Sequence, residues 1–251
     1  MNDDPYDTKT FGPLPDAHSC DMRKQVMEED VLRMNLSQLE ALYDADHTFH
    51  KVSKSSLRRE VDRFDHILDF LLRTIDSHFK GKKKKDQLRV LEIGPGHGAT
   101  AFHLSDQGIH VEVLDVSQKV LKHCEEHAGI RKAWHKNCWD SKSLEELKGQ
   151  YDVVIARSVI EHCPHPQLTM SLWAGLLKKG GLLYLTTPIG KELIDPYHLY
   201  FFYWYDLVNI LDPGAQFDTL EKPMLTDYSI MRTNKYDPQG KYNMWVVLGV
   251  K

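Results

Sequence analysis

The chain predicts an α/β fold: an open, mostly parallel sheet with helices on both faces, preceded by a helical extension and closed by an antiparallel hairpin. Three observations carry this. From residue 87 onward, short apolar runs alternate with amphipathic stretches, the rhythm of β-α-β units. The first of those runs ends in a cluster of three glycines. The last two runs are joined by Asp237-Pro238-Gln239-Gly240, a turn sequence in place of a helix.

Composition bounds what such a chain does. Its 251 residues are 41% hydrophobic and 27% charged, enough apolar material for a full core. Lys and Arg number 32 against 36 Asp and Glu, a net charge of −4 with a pI near 6.4. That excludes retention on nucleic acid by overall positive charge. No apolar run approaches the ~18 residues needed to cross a bilayer. The first thirty residues are polar and acidic, unlike a secretory signal, so the expected setting is the cytoplasm. Cys20, Cys124, Cys138 and Cys163 are widely spaced with no C-x-x-C pair and read as reduced thiols.

The elements follow in order. Residues 1–20 carry Pro5, Gly12, Pro13 and Pro15 without apolar periodicity and read as a mobile arm. Residues 21–86 read as a helical extension, a lid over the site. Val26, Val31, Leu32, Leu36, Leu39 and Leu42 space a first helix to Tyr43. Leu57, Val61, Phe64, Leu68, Leu71, Leu72 and Ile75 space a second, with Ser55 or Ser56 as cap and Gly81 as its end. The connecting loop holds His50 and Lys51. Lys82 to Lys85 read as a solvated linker, because no aromatic residues interleave with them to stack on bases.

Residues 87–251 then form the sheet domain. Strands are predicted over 88–93, 110–114, 132–136, 151–156 and 182–187, with helices over about 100–107, 117–127 and 167–177. Gly180 and Gly181 are expected to end the last of these helices. Strands over 228–236 and 242–250 form the closing hairpin.

Glu92-Ile93-Gly94-Pro95-Gly96-His97-Gly98-Ala99 falls where the first strand turns into its helix. Glycines there let backbone approach a ligand, and the helix N-terminus offers unpaired N–H groups. The string fits two templates. As G-x-G-x-x-A it passes the dinucleotide fingerprint, with Asp115 near the expected distance for a ribose contact. As E-x-G-x-G-x-G it matches the first motif of the S-adenosylmethionine-dependent methyltransferases. Glu92 favours the second: a carboxylate suits the cofactor's ammonium and would repel a pyrophosphate. The late position of the loop and the terminal hairpin point the same way.

On these residues the region from Arg89 to Lys251 resembles a class I, Rossmann-like, seven-stranded methyltransferase, nearest in texture to ubiquinone-biosynthesis-like O-methyltransferases. The resemblance implies sheet order 3-2-1-4-5-7-6 with strand seven antiparallel, and S-adenosylmethionine as cofactor. It places Glu92, Gly94, Gly96 and Gly98 in the first motif and Asp115 on the ribose hydroxyls. Cys138 or Trp139 would pack on adenine and Asp140 would accept its amine. Tyr151 to His162 match the fourth motif, which sets Arg157, Ser158, Glu161 and His162 near the methyl donor.

Methyl transfer from a sulfonium needs positioning and exclusion of water, and a hydroxyl acceptor also needs a base. His162, after strand four, and His198, in the aromatic stretch from Tyr197 to Tyr205, are the candidate catalytic residues. That stretch supplies both core packing and an acceptor pocket. Some relatives hold Mg²⁺ through E-x-x-E-H; here Ser158-Val159-Ile160-Glu161-His162 lacks the first carboxylate, so no metal is expected. His123-Cys124-Glu125-Glu126-His127 matches an inverted zinc-protease string but lies in a surface helix with no third ligand suggested. The expected activity is methylation of a small molecule, foremost at a hydroxyl oxygen, without a nucleic-acid or membrane partner. RNA or protein methylation, and a non-catalytic S-adenosylmethionine-binding scaffold, are the alternatives.

Overall fold

A computed structural model describes residues 28–46, 54–63, 65–190, 197–211, 225, 227–233 and 244–251. Seven strands form one sheet: β1 (Arg89–Ile93), β2 (His110–Asp115), β3 (Lys132–His135), β4 (Tyr151–Arg157), β5 (Leu177–Pro188), β6 (Asp227–Thr233) and β7 (Met244–Val250). Their order is β3-β2-β1-β4-β5-β7-β6, as the resemblance implied. β1 to β5 pair in parallel, and β7 runs antiparallel to both β5 and β6.

Helices α1 (Glu28–Arg33), α2 (Leu36–Asp46), α3 (Lys54–Arg63) and α4 (Asp65–Phe79) precede the sheet. Helices α5 (Ala99–Asp106), α6 (Gln118–His127), α7 (Ser141–Leu144), α8 (Pro166–Leu176) and α9 (Trp204–Leu211) accompany it. Strand alternation sorts the core into two layers. Leu91, Val154 and Leu183 face Trp173 of α8 and Leu207 of α9, while Val90, Val153 and Leu182 face Leu71 and Ile75 of α4, Leu104 of α5 and Leu121 of α6. Trp173 is fully buried, with its indole N–H donating to the Cys138 carbonyl at 2.9 Å.

Several boundaries differ from expectation, each for a local reason. The first helix is two, α1 and α2. Asn35 caps the second: its side chain accepts from the Gln38 amide (3.0 Å) and Gln38 reaches back to the Asn35 amide (2.9 Å). The second predicted helix is described as α3 and α4, and Ser55 and Ser56 lie inside the first turn of α3, two and three residues past the cap position. Gly81 does end α4; its φ of +72° lets the Lys82 and Lys83 amides turn back to the Phe79 carbonyl.

α8 ends at Leu176, before Gly180 and Gly181, which instead sit inside β5. The register with β4 shifts between Tyr151 and Val153 there, and a Cβ on Gly181 would stand 2.8 Å from the Lys178 carbonyl oxygen. The lysine run is not simply a solvated linker. Lys83 ion-pairs with the buried Asp152, and Lys85 with Asp76 at 3.1 Å. The arm at 1–20, His50, Lys51, Cys20 and the turn at 237–240 lie outside the described residues.

Candidate active site

Parallel strands point their carboxyl ends the same way, and a ligand crevice forms beyond them. Here β1, β2 and β4 end on a cavity of about 410 Å³. Of the residues singled out from sequence, Glu92, Gly94, Gly96, Asp115, Cys138, Trp139, Arg157 and His162 border it. Gly98, Asp140 and His198 do not.

Glu92 is the penultimate residue of β1 and 2% exposed. Its carboxylate meets the first turn of α5, accepting from the Thr100 hydroxyl and the Ala101 amide. Arg157, at the end of β4, donates to Thr100 Oγ1 at 2.7 Å, so guanidinium, hydroxyl and carboxylate form a chain across the cavity floor. Glu92 Oε2 has no hydrogen-bond partner. Burial pushes the Glu92 pKa up to about 7, against the opposing pull of Arg157, Thr100 and the Ala101 amide.

The glycines divide their work. Gly94 (φ +62°) lies so close under the turn after β4 that a Cβ would stand 2.5 Å from Val159 Cγ2. Gly96 (φ +54°) has nothing within 4 Å of where a Cβ would be and opens on the cavity. Gly98 (φ +81°) is the N-cap of α5, and a Cβ there would meet Cys124 Sγ at 3.0 Å and Ala128 at 3.2 Å. It serves packing between α5 and α6, away from the cavity.

Asp115 ends β2. Its Oδ1 accepts the Ser117 amide at 2.8 Å, while the Ser117 hydroxyl caps α6 by accepting from the Val120 amide at 3.2 Å. Burial raises the Asp115 pKa to about 7, opposed by the Ser117 and Val116 amides and reinforced by nearby Asp44. Cys138 and Trp139 form the wall after β3, held by the Asn137 side chain accepting the Trp139 amide at 2.9 Å. Asp140 instead caps α7, accepting the Lys142 amide at 3.1 Å, and is exposed. That N-cap competes with the adenine role suggested for it.

His162 closes the short turn after β4, and its Nδ1 lies 3.0 Å from the Tyr197 carbonyl oxygen. His198 is buried behind it, with ring centroids 4.7 Å apart. Glu161, His162 and His198 bring one potential ligand atom each within 4.8 Å of one another. The motif at 158–162 did not reveal this, because His198 arrives from beyond β5. Glu161 also anchors that segment: its carbonyl accepts the Leu199 (2.8 Å) and Tyr200 (3.2 Å) amides, and its Oε2 accepts from Thr187 (3.0 Å).

The aromatic stretch does less at the cavity than expected. None of Tyr197 to Tyr205 borders it; Phe202 is core, Tyr200 stacks on Phe202, and Trp204 and Tyr205 are exposed. The cavity takes its remaining aromatic wall from α2, where Tyr43 packs edge-on to His162 at 6.2 Å. Sequence reasoning missed Tyr43, Asp44, Thr100 and Lys136 as wall residues. Only Thr100, in the first turn of the helix that follows the glycine motif, carried a local signal. His123 and His127 face one another on α6 with ring centroids at 4.8 Å, and they belong to no three-ligand group among the described residues.

An orphaned, buried carboxylate oxygen at the mouth of a glycine turn suits a cationic group, and a half-buried acid one strand away suits neighbouring hydroxyls. Both features fit the amino-acid tail and ribose of S-adenosylmethionine. Comparison with known proteins agrees. A family model described as "Methyltransferase domain" matches residues 47–218. The chain is 28% identical over 136 residues to the mitochondrial ubiquinone biosynthesis O-methyltransferase of Mus musculus, covering 52% of this chain and 36% of that one. To the ubiquinone biosynthesis O-methyltransferase of Aromatoleum aromaticum it is 31% identical over 103 residues, covering 39% and 43%. The chain thus spans less than half the length of these relatives.

Among solved structures, magnesium protoporphyrin IX methyltransferase from Synechocystis superposes with a TM-score of 0.52 at 18% identity, covering 87% of this chain and 86% of that one. A SAM-dependent methyltransferase from Archaeoglobus fulgidus gives 0.53 at 18% identity, covering 76% and 97%. These likenesses show the fold. With the family model matching well over half its length, the chain belongs to the class I S-adenosylmethionine-dependent methyltransferases.

Proposed function

We propose that this methyltransferase modifies a hydroxyl oxygen of a small molecule, with His162 removing the acceptor's proton. The observation that carries the reading is the hydrogen bond between His162 Nδ1 and the Tyr197 carbonyl, in a residue that borders the same cavity as Glu92 and Asp115. A carbonyl only accepts, so Nδ1 bears the hydrogen, and in the neutral ring the lone pair is on Nε2. When that lone pair takes a proton, the Tyr197 carbonyl stays bonded to the resulting imidazolium.

In this reading Glu92 Oε2 receives the cofactor's ammonium, and the Gly94 and Gly96 backbone leaves room for its amino-acid tail. Asp115 takes the ribose hydroxyls, while Cys138 and Trp139 pack against adenine. Arg157 acts through Thr100 to orient Glu92, and His198 buttresses the His162 ring. S-adenosylmethionine, when bound, supplies an activated methyl group on a positively charged sulfur. The oxygen assignment is supported by the names of the distant relatives, which are O-methyltransferases. Net negative charge weighs against RNA as acceptor.

A metal held by Glu161, His162 and His198 is a second reading, favoured by their convergence within 4.8 Å. The two separate by experiment. Turnover of a panel of phenols and other hydroxylated small molecules should fall ~10²–10⁴-fold in His162→Ala, with S-adenosylhomocysteine affinity retained. Chelator should leave the wild-type rate unchanged if His162 acts as a base without a metal. Loss of turnover with chelator, restored by a divalent cation, would move the three residues to a metal site. Full turnover in His162→Ala would remove the base role altogether.

A further inference from the structure

The cofactor cavity is not built by the sheet domain alone. Tyr43 and Asp44, from the last turns of α2, border it beside Asp115 and His162. Nothing in the glycine motif or the strand ends requires a residue so far upstream, yet α2 is fixed there by specific contacts. The Ser117 hydroxyl donates to Asp44 Oδ1 at 2.6 Å, and the Gln118 amide donates to Glu40 Oε1 at 3.1 Å. Lys119 pairs with Asp44 Oδ2 at 3.0 Å. At the other end of the contact, the Tyr43 hydroxyl lies 3.4 Å from the His162 carbonyl oxygen, and its ring packs on Tyr197 at 6.1 Å.

Ser117 joins the two sides. Its amide holds Asp115 Oδ1 at 2.8 Å, while its hydroxyl holds Asp44 at 2.6 Å. One residue therefore orients both the acid at the end of β2 and the acid on α2. Acidic side chains at a helix N-terminus are favourable in themselves, so these contacts alone would be only a docking of α2 on α6. The buried, unpartnered Oε2 of Glu92 in the same cavity is the second observation that points to a ligand there.

We infer that α2 is a strap of the cofactor site, with Asp44 a positioning residue that acts through Ser117 on Asp115, so that strap closure and nucleoside binding reinforce one another. This rests on the S-adenosylmethionine reading of the cavity. When a nucleoside engages Asp115, the Ser117 amide is held in place and its hydroxyl is presented to Asp44; when α2 is docked, Tyr43 and Asp44 shield the nucleoside from water. Two binding events sharing one fixed element are positively coupled, and the coupling is reciprocal.

The test uses the full chain and S-adenosylhomocysteine as probe. Wild-type protein is first titrated calorimetrically; failure to bind there would defeat the reading of the cavity and not the strap. Given binding, Asp44→Ala should weaken it about tenfold, and Asp44→Asn, which keeps an acceptor for Ser117, by about threefold or less. Arg58→Ala, which removes an exposed pair with Asp106 elsewhere on the extension, serves as the control for general loosening and should change nothing. Hydrogen–deuterium exchange of wild-type peptides spanning 36–46 should slow when the probe is bound, a readout independent of any variant's folding. Exchange in 36–46 indifferent to saturating probe, or Asp44→Ala binding within twofold of wild type, would overturn the inference.

Discussion

Four acids, three of them buried and Asp115 half-buried, occupy the two ends of one sheet in opposite states. At the amino end, Glu112 receives a two-pronged Arg89 (2.6 and 3.1 Å), the Trp134 indole (2.7 Å) and the Tyr151 hydroxyl (2.9 Å). Asp152 receives Lys83, Lys178 (3.0 Å) and the Arg89 amide (3.0 Å). Burial alone would raise both pKa values, but these donors hold both below the ordinary carboxylate range. At the carboxyl end, burial wins: Glu92 and Asp115 are pushed up to about 7, and Glu92 keeps one oxygen with no partner. A fold that satisfies one pair of acids so fully and leaves the other short of donors has separated structure from function. The amino-end acids hold the sheet; the carboxyl-end acids are the ones we propose for the cofactor.

Substitutions sharpen that contrast, and the largest effect belongs to the structural pair. Asp152→Ala strands the Arg89 amide and two lysines and should cost about 2–4 kcal/mol of unfolding free energy in denaturant titrations. S-adenosylhomocysteine affinity of the folded fraction should be unchanged. Asp115→Asn should do the reverse, weakening the ligand by ~1–3 kcal/mol in calorimetry while leaving the denaturation midpoint unmoved or higher. Should Asp115→Asn destabilise the fold as much as Asp152→Ala, the division between the two ends would fail.

The pH responses also oppose one another. Glu92 and Asp115 bind protons more tightly folded than unfolded, so their contribution to stability falls as pH rises from the ordinary carboxylate range through about 7. Glu112 and Asp152 contribute fully above that range, and their contribution is lost as pH falls through their depressed values. Glu92→Gln should accordingly raise unfolding free energy at pH 8 by a small margin, about 1 kcal/mol, and leave it nearly unchanged at pH 4. Thermal melts of the ligand-free variant at the two pH values check this.

What the sequence makes legible is what neighbours along the chain determine. A strand, a glycine turn and a helix N-terminus occupy consecutive residues, so that adjacency alone sets Glu92, Gly94 and Gly96 on the cavity, and the ends of β2 and β4 do the same for Asp115, Arg157 and His162. Local patterns with two uses are harder. Gly98 matches the motif but packs α5 on Cys124 and Ala128, and Asp140 stands in the right loop but caps α7. Contacts across long separations leave no local trace. Tyr43 and Asp44 reach the cavity from more than seventy residues upstream of Ser117, and His198 reaches His162 from beyond β5. The start of β5 at Leu177 is hidden because Gly180 and Gly181 read as a helix stop when they are a bend within a strand.

If Glu92 and Asp115 are, as proposed, the acids that ionise to receive the cofactor's ammonium and ribose, calorimetric titration of S-adenosylhomocysteine, which carries both groups, at pH 6 and pH 8 tests this most directly, with NAD and NADP as comparison ligands. Binding of S-adenosylhomocysteine alone is expected, tighter at pH 8 by up to about tenfold per pH unit for each acid that must ionise, and with proton release at pH 6. Affinity indifferent to pH, or binding of a dinucleotide in its place, would contradict the account.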